Sequence, residues 1–367
     1  MLLTAEQKCL LWLSAAEITP DRVSTLIEQY GSAEAIWDAF GKTNGPQFQE
    51  TARKTLDALH SRDAIDALHG KLERKNVQLL FQTDDAYPAQ LNAIHDPPYL
   101  LYYAGRIECL RFPMIALVGT RKASGYGMEM AQMLAKGLSE AGICVVSGLA
   151  RGIDGAAHEA TVNAGGRTVG ILGSGINVPY PPEHTSLLRK MAGGIGLVLS
   201  EYPLDAQPRP YHFPHRNRII SGLSMGVVFV EGRIKSGGMH TVHAALMQGR
   251  EVFAVPGKVG AYGSEGPHAI LREGARIVTS AQELLDDLGL AEPKEKPQKA
   301  MPSSDLTILQ QGVIACLRRE PLGVHELASA LNLSENDVIT ELGMLEILGF
   351  VQREAGNRFH LPVAARK

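Results

Sequence analysis

The spacing of apolar residues changes character along the chain, and the changes divide it. Over residues 1–75, short stretches of helical periodicity alternate with breakers: Thr4 to Ala16, a Thr19-Pro20-Asp21 start running to Tyr30, Ser32 to Phe40, a break from Gly41 to Pro46, then a long amphipathic stretch from Gln49 to Lys75. Leu10, Leu11 and Leu13, and later Val23, Leu26 and Ile27, fall on inward-pointing helix faces, which predicts a small helical domain, SAM-like or helix-hairpin-helix-like. From Val77 the pattern becomes one of short apolar runs at 77–81, 99–103, 115–118, 144–146, 168–172, 197–199, 227–230, 252–255 and 276–278. Several are apolar throughout, as expected of strands covered by helices on both faces, and separations of about 25–30 residues fit successive βα units. The prediction is an α/β core over 76–290: a doubly wound, extended Rossmann-like parallel sheet whose ligand sits outside the carboxyl ends of its strands.

Residues 291–305 place Pro293, Pro297 and Pro302 among Lys, Glu and Gln, which reads as a linker. Beyond it, 306–367 predicts a winged helix: one helix near Leu306 to Arg318, a second at Val324 to Leu331, a third opened by a Ser334-x-x-Asp337 cap and running to Leu348, and a hairpin from Gly349 to Leu361. The third helix would enter a DNA major groove, yet it carries Glu335, Asp337, Glu341 and Glu346 and no Lys or Arg. Carboxylates there repel phosphates, so a protein-contact role fits this module better than duplex reading.

With 367 residues, 45% hydrophobic and 20% charged, the chain has ample material for buried cores. Cys9, Cys109, Cys144 and Cys316 lack C-x-x-C spacing and read as reduced thiols of a cytoplasmic protein. No basic leader and no apolar run near the roughly 18 residues of a membrane span are present, so neither secretion nor membrane insertion is expected. The net charge of −3 hides an uneven distribution: Pro113 to Ser280 holds 16 Lys and Arg against 11 Asp and Glu, while the rest holds 20 against 28. Phosphate affinity follows local charge, so the basic middle predicts a central anion site flanked by acidic modules.

The chemistry concentrates in loops after strands. Residues 212–220, His-Phe-Pro-His-Arg-Asn-Arg-Ile-Ile, set Arg216, Asn217 and Arg218 at the opening of an apolar helix just behind Phe213. A helix start offers unpaired N–H groups and positive dipole charge, and an aromatic ring offers a surface for a base. A second reading stays open for this string, in which the arginines form structural ion pairs and Phe213 is core. Gly119-Thr120-Arg121-Lys122-Ala123-Ser124 follows one strand, where glycine admits close backbone approach and the two cations face a phosphate position. Ser147-Gly148-Leu149-Ala150-Arg151-Gly152-Ile153-Asp154 follows the next, with Asp154 a helix cap or an orienter of Arg151. The Gly173-Ser174-Gly175 turn leads into prolines and lacks a strand-end acid, which argues against a dinucleotide. Gly237 and Gly238 open a helix after Glu231-Gly232-Arg233-Ile234-Lys235-Ser236 and predict another phosphate cradle. His240 and His243 share a helix face with no acid or Cys to complete a metal site, and His212 and His215 are read likewise as structural. No nucleophile elbow and no paired carboxylates are found, so catalytic residues, metal and cofactor are not expected.

The ordered set of strings resembles the DNA-processing protein A (DprA, also called Smf) family: Val118-Gly119-Thr120-Arg121, Ser147 through Asp154 with Ala157-His158, Tyr180-Pro181, Ser200-Glu201-Tyr202-Pro203, Phe213-Pro214 with Arg216-Asn217-Arg218-Ile219-Ile220, Ser236-Gly237-Gly238 and Ala254-Val255-Pro256-Gly257. These strings span roughly 80–280. The resemblance implies a non-enzymatic protein of bacterial transformation and recombination that binds single-stranded DNA, protects it, dimerises and loads the RecA recombinase. Two departures stand out: Gly238-Met239-His240-Thr241-Val242 replaces a Ser-Leu-Ile-Thr-Ala-like string, and His268 stands where the family usually has Asn. The expected groove comprises Gly119, Arg121, Lys122, Ser124, Ser147, Gly148, Arg151, Arg209, Phe213, Arg216, Asn217, Arg218, Gly237 and Gly238.

An enzyme of the lysine-decarboxylase-like nucleotide phosphoribohydrolase type would share the Rossmann layout and a Pro-Gly-Gly-x-Gly-Thr-x-x-Glu string. Laid on Ser236 to Ala244, that string keeps Gly237, Gly238 and Thr241 but meets Ala244 at the functional glutamate. The hydrolytic reading lacks its acid-base group. A transcription factor built on the winged helix would leave the central arginine loops unexplained.

Overall fold

The computed structural model describes residues 3–290, 306–318, 320–347, 350–354 and 358–361. The expected linker at 291–305 and the tip of the expected hairpin at 355–357 lie outside the described residues. The chain forms two compact units that divide between Ala291 and Glu292.

The first unit opens with helices α1 (Ala5–Ala15), α2 (Pro20–Tyr30), α3 (Ala33–Ala39), α4 (Glu50–Leu59) and α5 (Arg62–Arg74). Their starts are set locally: Thr4 and Gln7 exchange a capping box, Pro20 takes the first position of α2, and Ser32 and Ser61 cap α3 and α5. Trp12 is fully buried and donates its indole N–H to the Leu56 carbonyl at 2.9 Å. The same apolar cluster takes in Tyr99, Leu100, Tyr102, Leu172 and Leu188 from beyond α5, so the helices share one core with the sheet that follows.

That sheet has nine strands: β1 (Gln78–Phe81), β2 (Leu100–Gly105), β3 (Met114–Val118), β4 (Cys144–Ser147), β5 (Thr168–Leu172), β6 (Leu197–Ser200), β7 (Gly226–Phe229), β8 (Glu251–Ala254) and β9 (Arg276–Ile277), in the spatial order β1-β2-β6-β5-β4-β3-β7-β8-β9. Strands β3 to β9 pair in parallel, whereas β1 and β2 extend the edge antiparallel. The doubly wound parallel core is thus as expected, with two antiparallel strands added at one edge. Between β1 and β2 lies one single-turn helix, α6 (Ala89–Asn92), too short to cross over a sheet face as a parallel connection requires. Seven helices complete the unit: α7 (Gly125–Glu140), α8 (Ile153–Asn163), α9 (Thr185–Lys190), α10 (His212–Leu223), α11 (Gly237–Met247), α12 (Glu265–Arg272) and α13 (Ala281–Asp287). Alternation along β3 shows the two layers. Ile115 and Leu117 pack with α7, α8 and α13, while Met114, Ala116 and Val118 pack with α10, α11 and α12.

The winding fixes where a ligand belongs. From β3 the chain proceeds outward through β4, β5 and β6, then returns to place β7 on the other flank of β3 and runs outward again through β8 and β9. The direction reverses between β3 and β7, and the loops leaving their carboxyl ends diverge there into a crevice.

The second unit contains α14 (Ile308–Leu317), β10 (Leu322–Gly323), α15 (Val324–Leu331), α16 (Glu335–Ile347), β11 (Gln352–Glu354) and β12 (Arg358–His360), with the strands ordered β10-β12-β11. Val313, Leu327, Val338, Leu342 and Phe359 form its own core. This is the winged-helix arrangement, and Glu335, Asp337 and Glu346 of its third helix are exposed. Among the described residues no helix is long and apolar enough to cross a membrane. Cys9, Cys109, Cys144 and Cys316 are unbridged thiols, the first three buried.

Candidate nucleic-acid interface

At the β3/β7 crevice lies a cavity of about 540 Å³ lined by loops from five strands and by the openings of α10 and α11. The β3 loop brings Gly119, Thr120, Arg121 and Lys122, the β7 loop Arg233, Lys235 and Ser236, α10 Phe213, Arg216 and Asn217, and α11 Gly237, Gly238, His240 and Thr241. Close approach of the first and last of these segments needs glycine. A Cβ on Gly238 would stand 2.8 Å from the Phe229 ring and 3.1 Å from the Gly119 Cα, so neither position has room for a side chain.

Positive charge at the rim is largely uncommitted. Arg121, Lys122 and Lys235 are exposed and form no ion pair among the described residues. Ser236 precedes α11 but does not cap it, and its buried Oγ has no hydrogen-bond partner among the described residues. The Ser236 Oγ is turned in against Gly232, and the first-turn amides of the 11-residue helix open toward the cavity as donors suited to a phosphate oxygen.

Deeper in, Arg216 is 4% exposed, donates from Nη1 to the Gly148 carbonyl at 2.8 Å and from Nε to Asn217 Oδ1 at 3.3 Å, and is pushed by burial down to about 10. Its counter-charge is Asp154, whose Oδ2 accepts the Gly148 and Ala150 amides and whose carboxyl burial drives upward despite the guanidinium nearby. A Cβ at Gly148 would lie 2.5 Å from Arg216 Nη2 and 2.7 Å from Asp154 Oδ2, so the bare backbone keeps the two groups in register. Both pay desolvation incompletely returned by their pairing, which leaves Arg216 a cation that gains from an anion in the cavity. Asn217 ties this layer to α11 by donating Nδ2 to the Gly237 carbonyl at 3.3 Å.

Phe213 is half-buried, with Gly173 beneath it, Tyr180 tilted against it at 5.3 Å and the Arg121 guanidinium 5.3 Å from its ring centroid. The ring is braced rather than engulfed, and it faces the cavity.

Of the residues predicted from sequence, Gly119, Arg121, Lys122, Phe213, Arg216, Asn217, Gly237 and Gly238 line the cavity. The others sit elsewhere for definite reasons. Ser147 is fully buried and donates to the Leu117 carbonyl at 2.6 Å, tying β4 to β3. Ser124 caps α7 and donates to Glu231 at 3.0 Å. Gly148 lies behind Arg216. Arg151 is paired with Glu183 at 2.6 Å, and Arg209 with Glu17 at 3.2 Å in a separate groove. Arg218 is corrected most plainly: its Nε and Nη2 lie 2.6 Å from Asp96 and from Glu201, where only 10% of the side chain is exposed, because its side of α10 turns into the fold. Burial alone would weaken this pair, yet Arg218 holds the Glu201 carboxyl below its ordinary range, and Glu201 with Asp96 holds the guanidinium above its own.

His212 is 1% exposed and stacked on Tyr202 at 3.9 Å, and His215 is half-buried beside Glu201 and Asp96, both in keeping with structural roles. Exposed His240 instead lines the cavity. Sequence reasoning also left out Arg233, Lys235 and Tyr262. The first two sat in a loop already recognised, whereas Tyr262 reaches the cavity from the β8 loop, which carried no phosphate-like signal. Among the described residues no group of three or more metal-ligating side chains occurs.

A doubly wound α/β unit with a cationic, glycine-walled crevice at its switch point is followed in the chain by a winged helix. The family profile described as DNA recombination-mediator protein A matches residues 78–289, and the DprA winged helix domain matches 297–357. The chain belongs to the DprA/Smf family. It is 37% identical to Protein Smf of Escherichia coli K12, with 82% of each chain covered, and 42% identical to DNA processing protein DprA of Streptococcus pneumoniae over 60% of this chain and 78% of that one. Among solved structures, the X-ray structure of Streptococcus pneumoniae DprA aligns with a TM-score of 0.67 at 34% identity, covering 78% of this chain and 99% of that one. DprA of Helicobacter pylori, described for its single-stranded DNA binding mode, aligns with a TM-score of 0.53 at 28% identity, covering 58% and 95%.

Proposed function

We propose that this protein binds single-stranded DNA in the switch-point cavity, with no catalytic turnover, as a mediator of transformation and recombination that protects the strand, forms homodimers and loads the RecA recombinase onto it. The observation that carries the binding step is the coincidence of Arg121, Lys122 and Lys235, free of ion pairs among the described residues, with the opening of α11 and the braced Phe213 ring around one cavity. Cations and helix-start amides would hold successive phosphates, and the ring would stack a base of any identity, so sequence preference is slight. The Helicobacter pylori relative, named for single-stranded DNA binding, supports the same reading. Recombinase loading and dimerisation rest on family membership, and the exposed Ile277 on edge strand β9 offers an unpaired surface for a second copy.

Fluorescence anisotropy with a labelled oligonucleotide tests this directly. Single strands bind more tightly than duplex, and affinity falls with salt by a log–log slope of about −0.7 per phosphate contacted. Arg121→Ala flattens that slope by about one contact, while Phe213→Ala costs about 1–3 kcal/mol of binding and leaves the slope unchanged. Equal affinity for duplex, or unaltered binding in both variants, rules the cavity out as the DNA site.

Deleting residues 291–367 leaves single-strand affinity within about twofold, since the exposed carboxylates of α16 repel phosphates. Loss of most affinity in a folded truncation assigns DNA contacts to the winged helix instead.

A further inference from the structure

Tyr262 is the aromatic residue of the cavity that the binding model above leaves unused. It opens a short 3-10 turn, Tyr262–Ser264, on the loop after β8, and it is 74% exposed. Exposure of one tyrosine needs no explanation by itself, but an exposed ring held in one orientation at the rim of a cationic cavity is a preformed stacking surface. Tyr262 is held in this way. The Arg233 guanidinium lies 4.6 Å from the Tyr262 ring centroid, donates from Nη1 to the phenol oxygen at 3.0 Å, and is fixed from behind by Nε donating to Glu265 at 3.1 Å. The carboxylate orients the cation, and the cation orients the ring. The bulk of the ring's surface remains bare.

The geometry repeats that of the other side. Phe213 and Arg121 form one aromatic–guanidinium couple on the loops of β3 and α10, Tyr262 and Arg233 form another on the loops of β7 and β8, and all four side chains line the same cavity. Lys122 and Lys235 line it with them. We propose that Tyr262 is a second base-stacking platform, so that a single strand places one base on Phe213 and another on Tyr262 while its backbone follows the cations between them. This rests on the single-strand binding reading and adds to it a residue from a loop that no phosphate motif marks. Alternating charge and π-surface is what a single-stranded nucleic acid requires, because phosphates and base faces alternate along it.

The test compares Tyr262→Ala, Tyr262→Phe and Phe213→Ala with the unaltered full-length protein, using fluorescein-labelled oligothymidylate. Tyr262→Ala is expected to weaken binding roughly tenfold with the salt slope unchanged, and Tyr262→Phe to bind within about twofold of the parent because the stacking face survives. Irradiating a complex with a 5-iodouracil-substituted oligonucleotide crosslinks Tyr262 as well as Phe213. If Phe213→Ala weakens binding but Tyr262→Ala does not, the second platform is absent while the groove stands. If Tyr262→Phe is as weak as Tyr262→Ala, the phenol's grip on Arg233 matters and the ring does not, which also overturns the proposal. If the unaltered protein fails to bind the oligonucleotide at all, the single-strand reading itself has failed, and the platform falls with it.

Discussion

Arg218→Ala lowers the folding stability of this protein by about 3–5 kcal/mol and changes single-strand affinity little in the fraction that remains folded. The guanidinium is the shared partner of Asp96 and Glu201, each at 2.6 Å, and Glu201 is itself only 9% exposed at its side chain. Removing the cation leaves a buried carboxylate facing His215 Nδ1 at 3.3 Å as its remaining counter-group. The cost is that of an uncompensated charge, which exceeds the net worth of the pair while both partners are present. Replacing both, as Arg218→Met with Glu201→Leu, recovers much of the loss because neither charge then has to be buried. Chemical denaturation of the single and double variants reads the difference. A normal melting temperature with a weakened, less salt-dependent affinity in Arg218→Ala would instead return this residue to the phosphate-binding set that the sequence suggested for it.

The second large effect is an acid sensitivity centred on His158. The ring is fully buried on α8, with Nδ1 2.7 Å from Thr168 Oγ1. The Thr168 hydroxyl also lies 2.8 Å from the Val145 carbonyl, to which it donates. Burial first, then the neighbouring His184 and Arg216, push this imidazole down to about 3, with a hydrogen bond to the Ser147 backbone offsetting only part of it. The unfolded chain binds a proton near pH 6.5 and the folded one does not, so stability is complete above about 6.5 and falls as the pH drops toward 3. The slope is about 1.4 kcal/mol per pH unit, or roughly 2 kcal/mol between pH 6.5 and 5, above the range where ordinary carboxylates titrate. Denaturant midpoints measured at pH 7.5 and 5.0 for the parent and for His158→Gln check it. The variant has the flatter profile whatever its stability at neutral pH, and parallel profiles would show that another group carries the acid response.

The periodicities that placed the helices and strands are local facts, and the structure keeps them. The strands fall where continuous apolar runs predicted them because a buried strand must be apolar on both faces. Caps at Thr4, Ser32, Ser61 and Ser124 act between residues three apart. The antiparallel edge formed by β1 and β2 was not legible, since strand direction depends on how the connecting segment returns and not on the strand's own residues. The shared core of the N-terminal helices and the sheet was hidden for the same kind of reason. An apolar helix face shows that something covers it, and not what.

The candidate site divides along the same line. The sequence by itself determined that glycine, arginine and lysine gather after β3, β4 and β7 and at the start of α10, because strand-to-helix turns bear local signatures and the chain's positive balance is concentrated there. Only the tertiary structure decided which cations are free. Arg216 and Arg218 stand two residues apart in one helix, yet one lines the cavity and the other is held by Asp96 and Glu201, from segments 122 and 17 residues away. Tyr262 likewise meets Arg233, 29 residues distant, only once β8 lies beside β7. Charge and shape in a motif are properties of the residues, but their availability to a ligand depends on partners brought in by the fold, and that is why the groove's final composition emerged from packing.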